Sequence, residues 1–345
     1  MVSHTGVEHG ARKGAGLEPR NGSGGRRRLR IVVLDDHQRA AERHLPLDEL
    51  RAVCEPLVTV HHDTASDAEE LLVRIAEAEV VVAMRERSPL PEKVIDRLRA
   101  TELIVTTGAR NAAIDVAAAR RRGIVVSGTR GKDSGPAELT WGLLLALMRR
   151  IPQEHQGVHQ GRWGVHLGDT LEGKRLGIVG LGEIGARMAR YGRAFGMRVL
   201  AHSRSLTREL AAALDVDAVD RDTLLRESDV VSLHLKLTPE TRGFLGAREL
   251  GLMSRSAVLV NTARGDLVDE PALVQALRER RIAGAALDVF AVEPLPADSP
   301  LLDLDNVVLT PHIGYVTEAK YRDYYGQVAE IIAAHARGER LRELP

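Results

Sequence analysis

A single cysteine, Cys54, stands in 345 residues, which excludes an internal disulfide framework and leaves no thiol cluster to hold a structural metal. Set in an apolar stretch with no partner nearby in sequence, Cys54 reads as buried filler rather than as a nucleophile. Net charge is missing as well: 48 Lys and Arg balance 48 Asp and Glu. The chain as a whole therefore has no field to draw in nucleic acid or an acidic surface, and any substrate charge must be met locally. No apolar run approaches the roughly 20 residues that span a bilayer. Residues 1 to about 29, rich in Gly, Arg and Ser, lack the hydrophobic core of a secretory signal and read as a disordered extension. A cytoplasmic protein, with no membrane, nucleic-acid or metal partner, is the expectation these absences leave.

From Leu29 onward, short β-branched runs alternate with helix-like segments: 30–34 (RIVVL), 79–83 (EVVVA), 103–106 (LIVT) and 124–127 (IVVS). Continuous apolar strands in such alternation predict a parallel sheet covered on both faces. Residues 136–150 open with Pro136 and run apolar for several turns, so they predict a helix too apolar to be solvated, placed between domains. A second series of strands is predicted at 175–179, 198–202, 229–233, 257–261, 284–288 and 306–309, followed by one long helix over 316–337 that ends near Gly338. The fold class is therefore α/β, with two doubly wound parallel-sheet domains of the Rossmann or flavodoxin-like kind. The expected division is 30–130 with 312–345 as a discontinuous substrate domain and 131–311 as the dinucleotide-binding domain.

Gly180-Leu181-Gly182-Glu183-Ile184-Gly185 directly follows the strand RLGIV and opens an amphipathic segment. A G-x-G-x-x-G in strand-loop-helix context reads as a dinucleotide site. Gly180 permits the tight turn, and Gly182 lets backbone amides approach a pyrophosphate. Gly185 lets helix pack close to strand, while the helix start at Glu183 and Ile184 presents partial positive charge to the phosphates. In such a unit an acid at the end of the next strand binds the ribose diol of NAD. Here the residues are His202-Ser203-Arg204. Without a carboxylate nothing repels a 2′-phosphate, and Ser203 and Arg204 would bind one, so NADP is modestly favoured within an NAD(P) site. The competing reading is a solvated Arg204 beside a weakly selective NAD pocket.

Three further segments each follow a predicted strand: VNTARG over 260–265, LDVFAVEP over 287–294 and TPHIG over 310–314. In an open α/β sheet such loops gather beside the ligand, so Arg264, Glu293 and His312 would converge. Each alone has an ordinary explanation, whether surface ion pair, helix-start acid or capped loop residue, but the three together beside a cofactor loop point to catalysis.

In these motifs and their spacing, Arg264 to Glu293 29 residues and Glu293 to His312 19, the chain resembles the D-isomer-specific 2-hydroxyacid dehydrogenase family over roughly residues 30–338. LEGKRLGIVGLGEIG, LVNTARGDLVDE and DVFAVEPLP carry the resemblance. It implies a split substrate domain, a central Rossmann domain and a homodimer formed through the segment around 136–166. It also implies an oxidoreductase that moves a hydride between NAD(P)H and the carbonyl carbon of a 2-keto acid, reversibly a D-2-hydroxy acid. Arg264 would hold the substrate carboxylate and polarise the keto oxygen. His312 would donate the proton, with Glu293 orienting the imidazole and favouring its charged form. Thr107, Gly108, Ala109 and Arg110 correspond to the loop that offers amides to the carboxylate, and Thr262, Ala263, Asp288 and Gly314 to the nicotinamide end. Departures from the family pattern are Lys236 for a proline, Tyr315 for a small residue, and Arg110-Asn111 for a glycine-containing loop. His155, His159 and His166 read as solvent or dimer-edge histidines rather than metal ligands. The alternative function is a catalytically weak NAD(P)-sensing binding protein, corepressor-like, on the same fold; it would need the dinucleotide site but not the Arg, Glu and His.

Overall fold

The computed structural model describes residues 26–131, 134–204 and 206–344. Most of the N-terminal extension lies outside them, although Arg28 and Leu29 already belong to the first strand. Two compact units are formed, residues 1–130 with 324–345, and residues 131–323.

The first unit holds a five-stranded sheet of β1 (Arg28–Val33), β2 (Glu55–Val60), β3 (Val80–Ala83), β4 (Leu103–Thr106) and β5 (Val125–Gly128), in the order β2-β1-β3-β4-β5. All pairings are parallel, with Ile31 opposite Val58 on one side and Val80 on the other. Strands β3 and β4 are buried at every position, the pattern of a sheet covered on both faces. Strand β2 escaped the sequence reading for a physical reason. It is an edge strand whose residues alternate between half-buried and exposed, and it contains Pro56, which a sheet accepts only at an edge. Arg27, just before β1, meets Glu102 at 2.6 Å, and Arg28, its first residue, meets Glu55 at 3.1 Å. Cys54 is buried, as a small apolar side chain would be.

The second unit holds seven parallel strands: β6 (Arg175–Val179), β7 (Arg198–His202), β8 (Asp217–Ala218), β9 (Val230–Leu233), β10 (Val258–Asn261), β11 (Gly284–Leu287) and β12 (Val307–Leu309). Their order is β12-β11-β10-β9-β6-β7-β8. Because every strand runs the same way, the loops after β6, β7, β9, β10, β11 and β12 leave one edge of the sheet. Strand order reverses at β6, between β9 and β7, where such sheets leave a crevice for a ligand. The helix Gly135–Met148 packs against β10, β11 and β12 and buries Leu143, Leu144 and Leu147. Its buried leucines are thus met by the second sheet. The return to the first unit, expected at 312, comes within the helix Glu318–Ala336. Residues from 312 stay with the second unit because the amides of Ile313 and Gly314 are bonded to Asp288. That helix stops at Ala336, with Gly338 in the left-handed region at φ 69°, the backbone that ends helices and favours glycine.

Candidate active site

The glycine loop after β6 has the geometry its sequence predicts. Gly180 has φ 95°, and a Cβ there would sit 2.7 Å from the carbonyl oxygen of His234, so the turn passes against the end of β9 only as glycine. A Cβ on Gly185 would lie 2.2 Å from the Gly180 carbonyl oxygen, which seats the helix Glu183–Ala194 directly on the turn. Gly182, at the start of that helix, has nothing within 4 Å of a Cβ position. Two glycines are thus demanded by the protein's own packing and the middle one by nothing in it, so the open cradle beside a helix N-terminus fits a dinucleotide pyrophosphate. Glu183 and Ile184 form the first turn of that helix, where Glu183 faces Arg187 at 3.5 Å.

At the end of β7, His202 Nδ1 is turned to the carbonyl of Val219 at 3.2 Å, which leaves Ser203 and Arg204 as the residues beyond the strand. Arg204 is exposed. The carboxyl of Glu240 lies below its ordinary range, held there by the Thr238 hydroxyl, its own amide and the nearby Arg204 charge. His234, at the end of β9, bonds Ser232 Oγ through Nε2 at 2.8 Å, and desolvation pushes its imidazole down to about 4. It is neutral at physiological pH and cannot serve as a cationic contact. Lys236 is exposed and its carbonyl accepts the Thr241 hydroxyl at 2.7 Å.

The three loops after β10, β11 and β12 bring Arg264, Glu293 and His312 together. His312 Nδ1 lies 2.6 Å from Glu293 Oε2, and Glu293 Oε1 accepts the Phe290 amide at 3.0 Å. Burial pushes the Glu293 carboxyl up, but the His312 hydrogen bond and charge, the Phe290 amide and the Arg264 charge together hold it below the usual range. A carboxylate on Nδ1 fixes the ring so that Nε2 is the nitrogen left for chemistry. His312 has φ 52°, a region costly for a side chain bearing a Cβ and kept where surrounding structure enforces it. The enforcing group is Asp288, fully buried, whose Oδ1 accepts the Thr310 hydroxyl at 2.6 Å and the Ile313 amide at 2.9 Å, and whose Oδ2 accepts the Gly314 amide at 2.9 Å. Burial nonetheless leaves the Asp288 carboxyl above its ordinary range. Asp288 and Gly314, expected at the nicotinamide end, are here the two sides of the clamp on the His312 loop. Tyr315, buried, sets its ring edge-to-face on the imidazole at 6.0 Å, so this departure from a small residue builds a wall of the histidine's pocket.

Arg264 is held from both directions. Asn261 Nδ2 donates to its carbonyl at 2.9 Å, Asn261 Oδ1 accepts the Ala263 amide at 3.1 Å, and Arg264 Nη1 donates to the Ala263 carbonyl at 2.7 Å. The Thr262 hydroxyl is 2.6 Å from that of Thr140, which ties the same loop to the helix Gly135–Met148. A Cβ on Gly265 would fall 2.0 Å from the Phe290 carbonyl carbon, so the Arg264 and Glu293 loops touch backbone to backbone. Asn261, Gly265, Phe290 and Thr310 were given no role from sequence. For Gly265, the available signal is a glycine directly after the candidate arginine at a strand end. For the others, contacts made only in three dimensions left none.

In the first unit, the Thr107–Arg110 loop follows β4. Thr107 is buried, its amide on the Ala83 carbonyl at 3.0 Å and its hydroxyl accepting the Arg85 amide at 3.1 Å. Gly108 has φ 153°, and a Cβ there would meet Arg85 Nη1 at 2.7 Å. Ala109 and Arg110 are exposed. Asn111, one of the departures, donates to Thr106 Oγ1 at 2.9 Å and accepts the Ala113 amide at 2.9 Å, so its side chain pins the loop from within. Elsewhere His166 is bonded to Glu154 at 2.7 Å and His155 packs edge-to-face on His159. Among the described residues no group of three His, Cys, Asp or Glu is placed to hold a metal, and no helix is long and apolar enough to cross a membrane.

Residues 141–314 match the model of the D-isomer specific 2-hydroxyacid dehydrogenase NAD binding domain. A glyoxylate reductase of Aeropyrum pernix is 47% identical over 236 residues, 66% of this chain and 70% of that protein. A D-3-phosphoglycerate dehydrogenase of Methanocaldococcus jannaschii is 40% identical over 291 residues, 83% of this chain, which spans only 55% of that relative's length. Among solved structures, a phosphoglycerate oxidoreductase of Vibrio cholerae superimposes with a TM-score of 0.85 at 36% identity, covering 90% of this chain and 99% of that one. With its nucleotide domain matched and its two parallel sheets in place, the chain belongs to the D-isomer specific 2-hydroxyacid dehydrogenases.

Proposed function

We propose that the protein reduces the carbonyl of a small 2-keto acid and, in reverse, oxidises the matching D-2-hydroxy acid. The observation that carries this reading is the His312–Glu293 pair at 2.6 Å, with the charge of Arg264 felt at Glu293. A site built only to sense a dinucleotide has no use for it. A reduced nicotinamide bound along the glycine loop supplies the hydride. Arg264, permanently charged and planar, holds the substrate carboxylate and draws electron density toward the keto oxygen. His312 delivers a proton from Nε2 to that oxygen and accepts one in the reverse direction. Glu293 keeps the ring oriented and its charge balanced. Thr107, Gly108, Ala109 and Arg110 offer amides to the carboxylate.

Ser203 and Arg204, standing where an acid would exclude a 2′-phosphate, favour NADPH over NADH. The names of the relatives, glyoxylate reductase and D-3-phosphoglycerate dehydrogenase, make glyoxylate and other short, polar keto acids the first substrates to try. We further propose a homodimer formed through residues 136–166, a stretch with Ile151 and Val158 half exposed and followed at once by the exposed Leu167, beside Trp163 at 88% exposure. Exposed apolar surface of this extent marks an interaction face. A cytoplasmic location is part of the same proposal, since a fold with one buried thiol needs no oxidising compartment. The deciding experiment is a spectrophotometric screen of glyoxylate, hydroxypyruvate, pyruvate and phenylpyruvate with NADH and NADPH in parallel. Cofactor oxidation with at least one acid is expected; none with any acid overturns the reading.

A further inference from the structure

The last described residues of the chain return to the first sheet. The Leu344 amide donates to the Val126 carbonyl at 2.8 Å, Ser127 Oγ donates to the Arg342 carbonyl at 2.8 Å, and Arg342 Nη2 donates to the Gly128 carbonyl at 2.7 Å. Arg120 Nη2 donates to the Leu344 carbonyl at 3.3 Å. Residues 342–344 are thereby laced along the outer edge of β5, and the Leu344 side chain enters the core with 9% exposure.

The end of β5 is where this lacing meets the Thr107–Arg110 loop. A Cβ on Gly128 would lie 2.4 Å from the Gly108 carbonyl oxygen and 3.1 Å from Leu344 Cδ2. The loop's carbonyl and the leucine's methyl therefore press on the same point of the strand, and glycine leaves the only room for both. Gly128 pairs with Thr106 in the register of β4 and β5, the residue next to the loop, and Thr106 Oγ1 takes the Asn111 amide that pins it. On its other side the loop rests on Arg85, whose Nη1 would be 2.7 Å from a Gly108 Cβ. Arg85 stands at the Cβ side of Gly108, and the C-terminal segment reaches the loop where the Gly108 carbonyl meets Gly128.

We infer that Arg342 and Leu344 are positioning residues for the substrate: through Gly128 they set the height of the Gly108 carbonyl, and so the aim of the loop amides at the carboxylate. This rests on the assignment of Thr107–Arg110 as the carboxylate loop. Aimed amides lose effect steeply with displacement, a shift of 1 Å costing up to about 10²-fold. Relaxing a prop while Arg264 and His312 keep their own hydrogen bonds should act more on KM than on kcat.

The test measures KM and kcat for the best keto acid at saturating cofactor, with cofactor affinity and melting temperature in parallel, for Leu344→Ala, Leu344→Met, Arg342→Ala and Gly108→Ala. Leu344→Ala is expected to raise KM by roughly fivefold to tenfold with kcat nearly unchanged, well inside the positioning range. Arg342→Ala, at an exposed position that loses one hydrogen bond to the Gly128 carbonyl, should move KM the same way by less, and Leu344→Met should restore most of the loss. A fall in melting temperature with KM unmoved in both Leu344→Ala and Arg342→Ala assigns the segment a structural role only and overturns the inference. Gly108→Ala separates the two layers. If it raises KM while the tail variants do not, the prop alone fails; if it too leaves KM unmoved, the carboxylate-loop assignment fails with it.

Discussion

His312 Nδ1 lies 2.6 Å from Glu293 Oε2, and the histidine holds that position with its backbone at φ 52°. The short contact and the unusual backbone have one origin. Asp288 fastens both amides that follow His312, the Phe290 amide fastens the far oxygen of Glu293, and the two side chains are left facing each other.

Because the Glu293 carboxyl is held below its usual range, it is an anion against the imidazole throughout the neutral region. Glu293→Gln keeps the shape and removes that charge. The ring then loses the anion that its Nδ1 bonds, and with it the group that orients it. kcat/KM for keto-acid reduction is expected to fall and its pH profile to change shape, measured for the two proteins side by side. Superimposable profiles contradict the coupling.

His312→Ala should lower the rate of keto-acid reduction by about 10²-fold or more, the usual contribution of a positioned acid. Cofactor affinity should be unaffected, since the glycine loop is formed by β6 and its following helix. A turnover within a few-fold of the parent means that another group supplies the proton.

Gly265→Ala probes the backbone contact that brings Arg264 toward Glu293. A methyl there would fall 2.0 Å from the Phe290 carbonyl carbon, and backbone cannot step aside as a flexible side chain does. A loss of about 1–3 kcal/mol of stability is expected from overpacking, together with loss of activity larger than the stability change explains. Full activity at a temperature where the variant is folded would show that Arg264 tolerates displacement.

Arg204→Ala should weaken NADPH and leave NADH nearly unchanged. A charge-assisted hydrogen bond is worth about 1.5–3 kcal/mol, or roughly 10- to 150-fold in affinity, and the exposure of Arg204 places the expected effect at the low end. Dissociation constants for both cofactors decide it. A parent that prefers NADH, or an NADPH affinity indifferent to the substitution, removes the case for a 2′-phosphate site.

The strands buried on both faces were legible in the sequence, because a covered parallel strand is apolar along most of its length: β3, β4, β9 and β10 stand out as such runs, broken only by Thr106, Ser232 and Asn261. The sequence by itself also determined the glycine loop and the three loops bearing Arg264, Glu293 and His312, since each follows such a strand and parallel strands deliver their loops to one edge. Strand β2 was lost because an edge strand is half exposed and its pattern is broken by Pro56. The point at which the chain leaves the second unit was misplaced because it depends on Asp288 reaching amides some 25 residues further on, a bond with no local signature. The same holds for Gly265 against Phe290, for Gly128 caught between Gly108 and Leu344, and for Asp288 acting as a clamp. Which residues are candidates for the chemistry is written in residue type and spacing, whereas what holds them in place is a matter of close approach between segments far apart in the chain, which no local pattern carries.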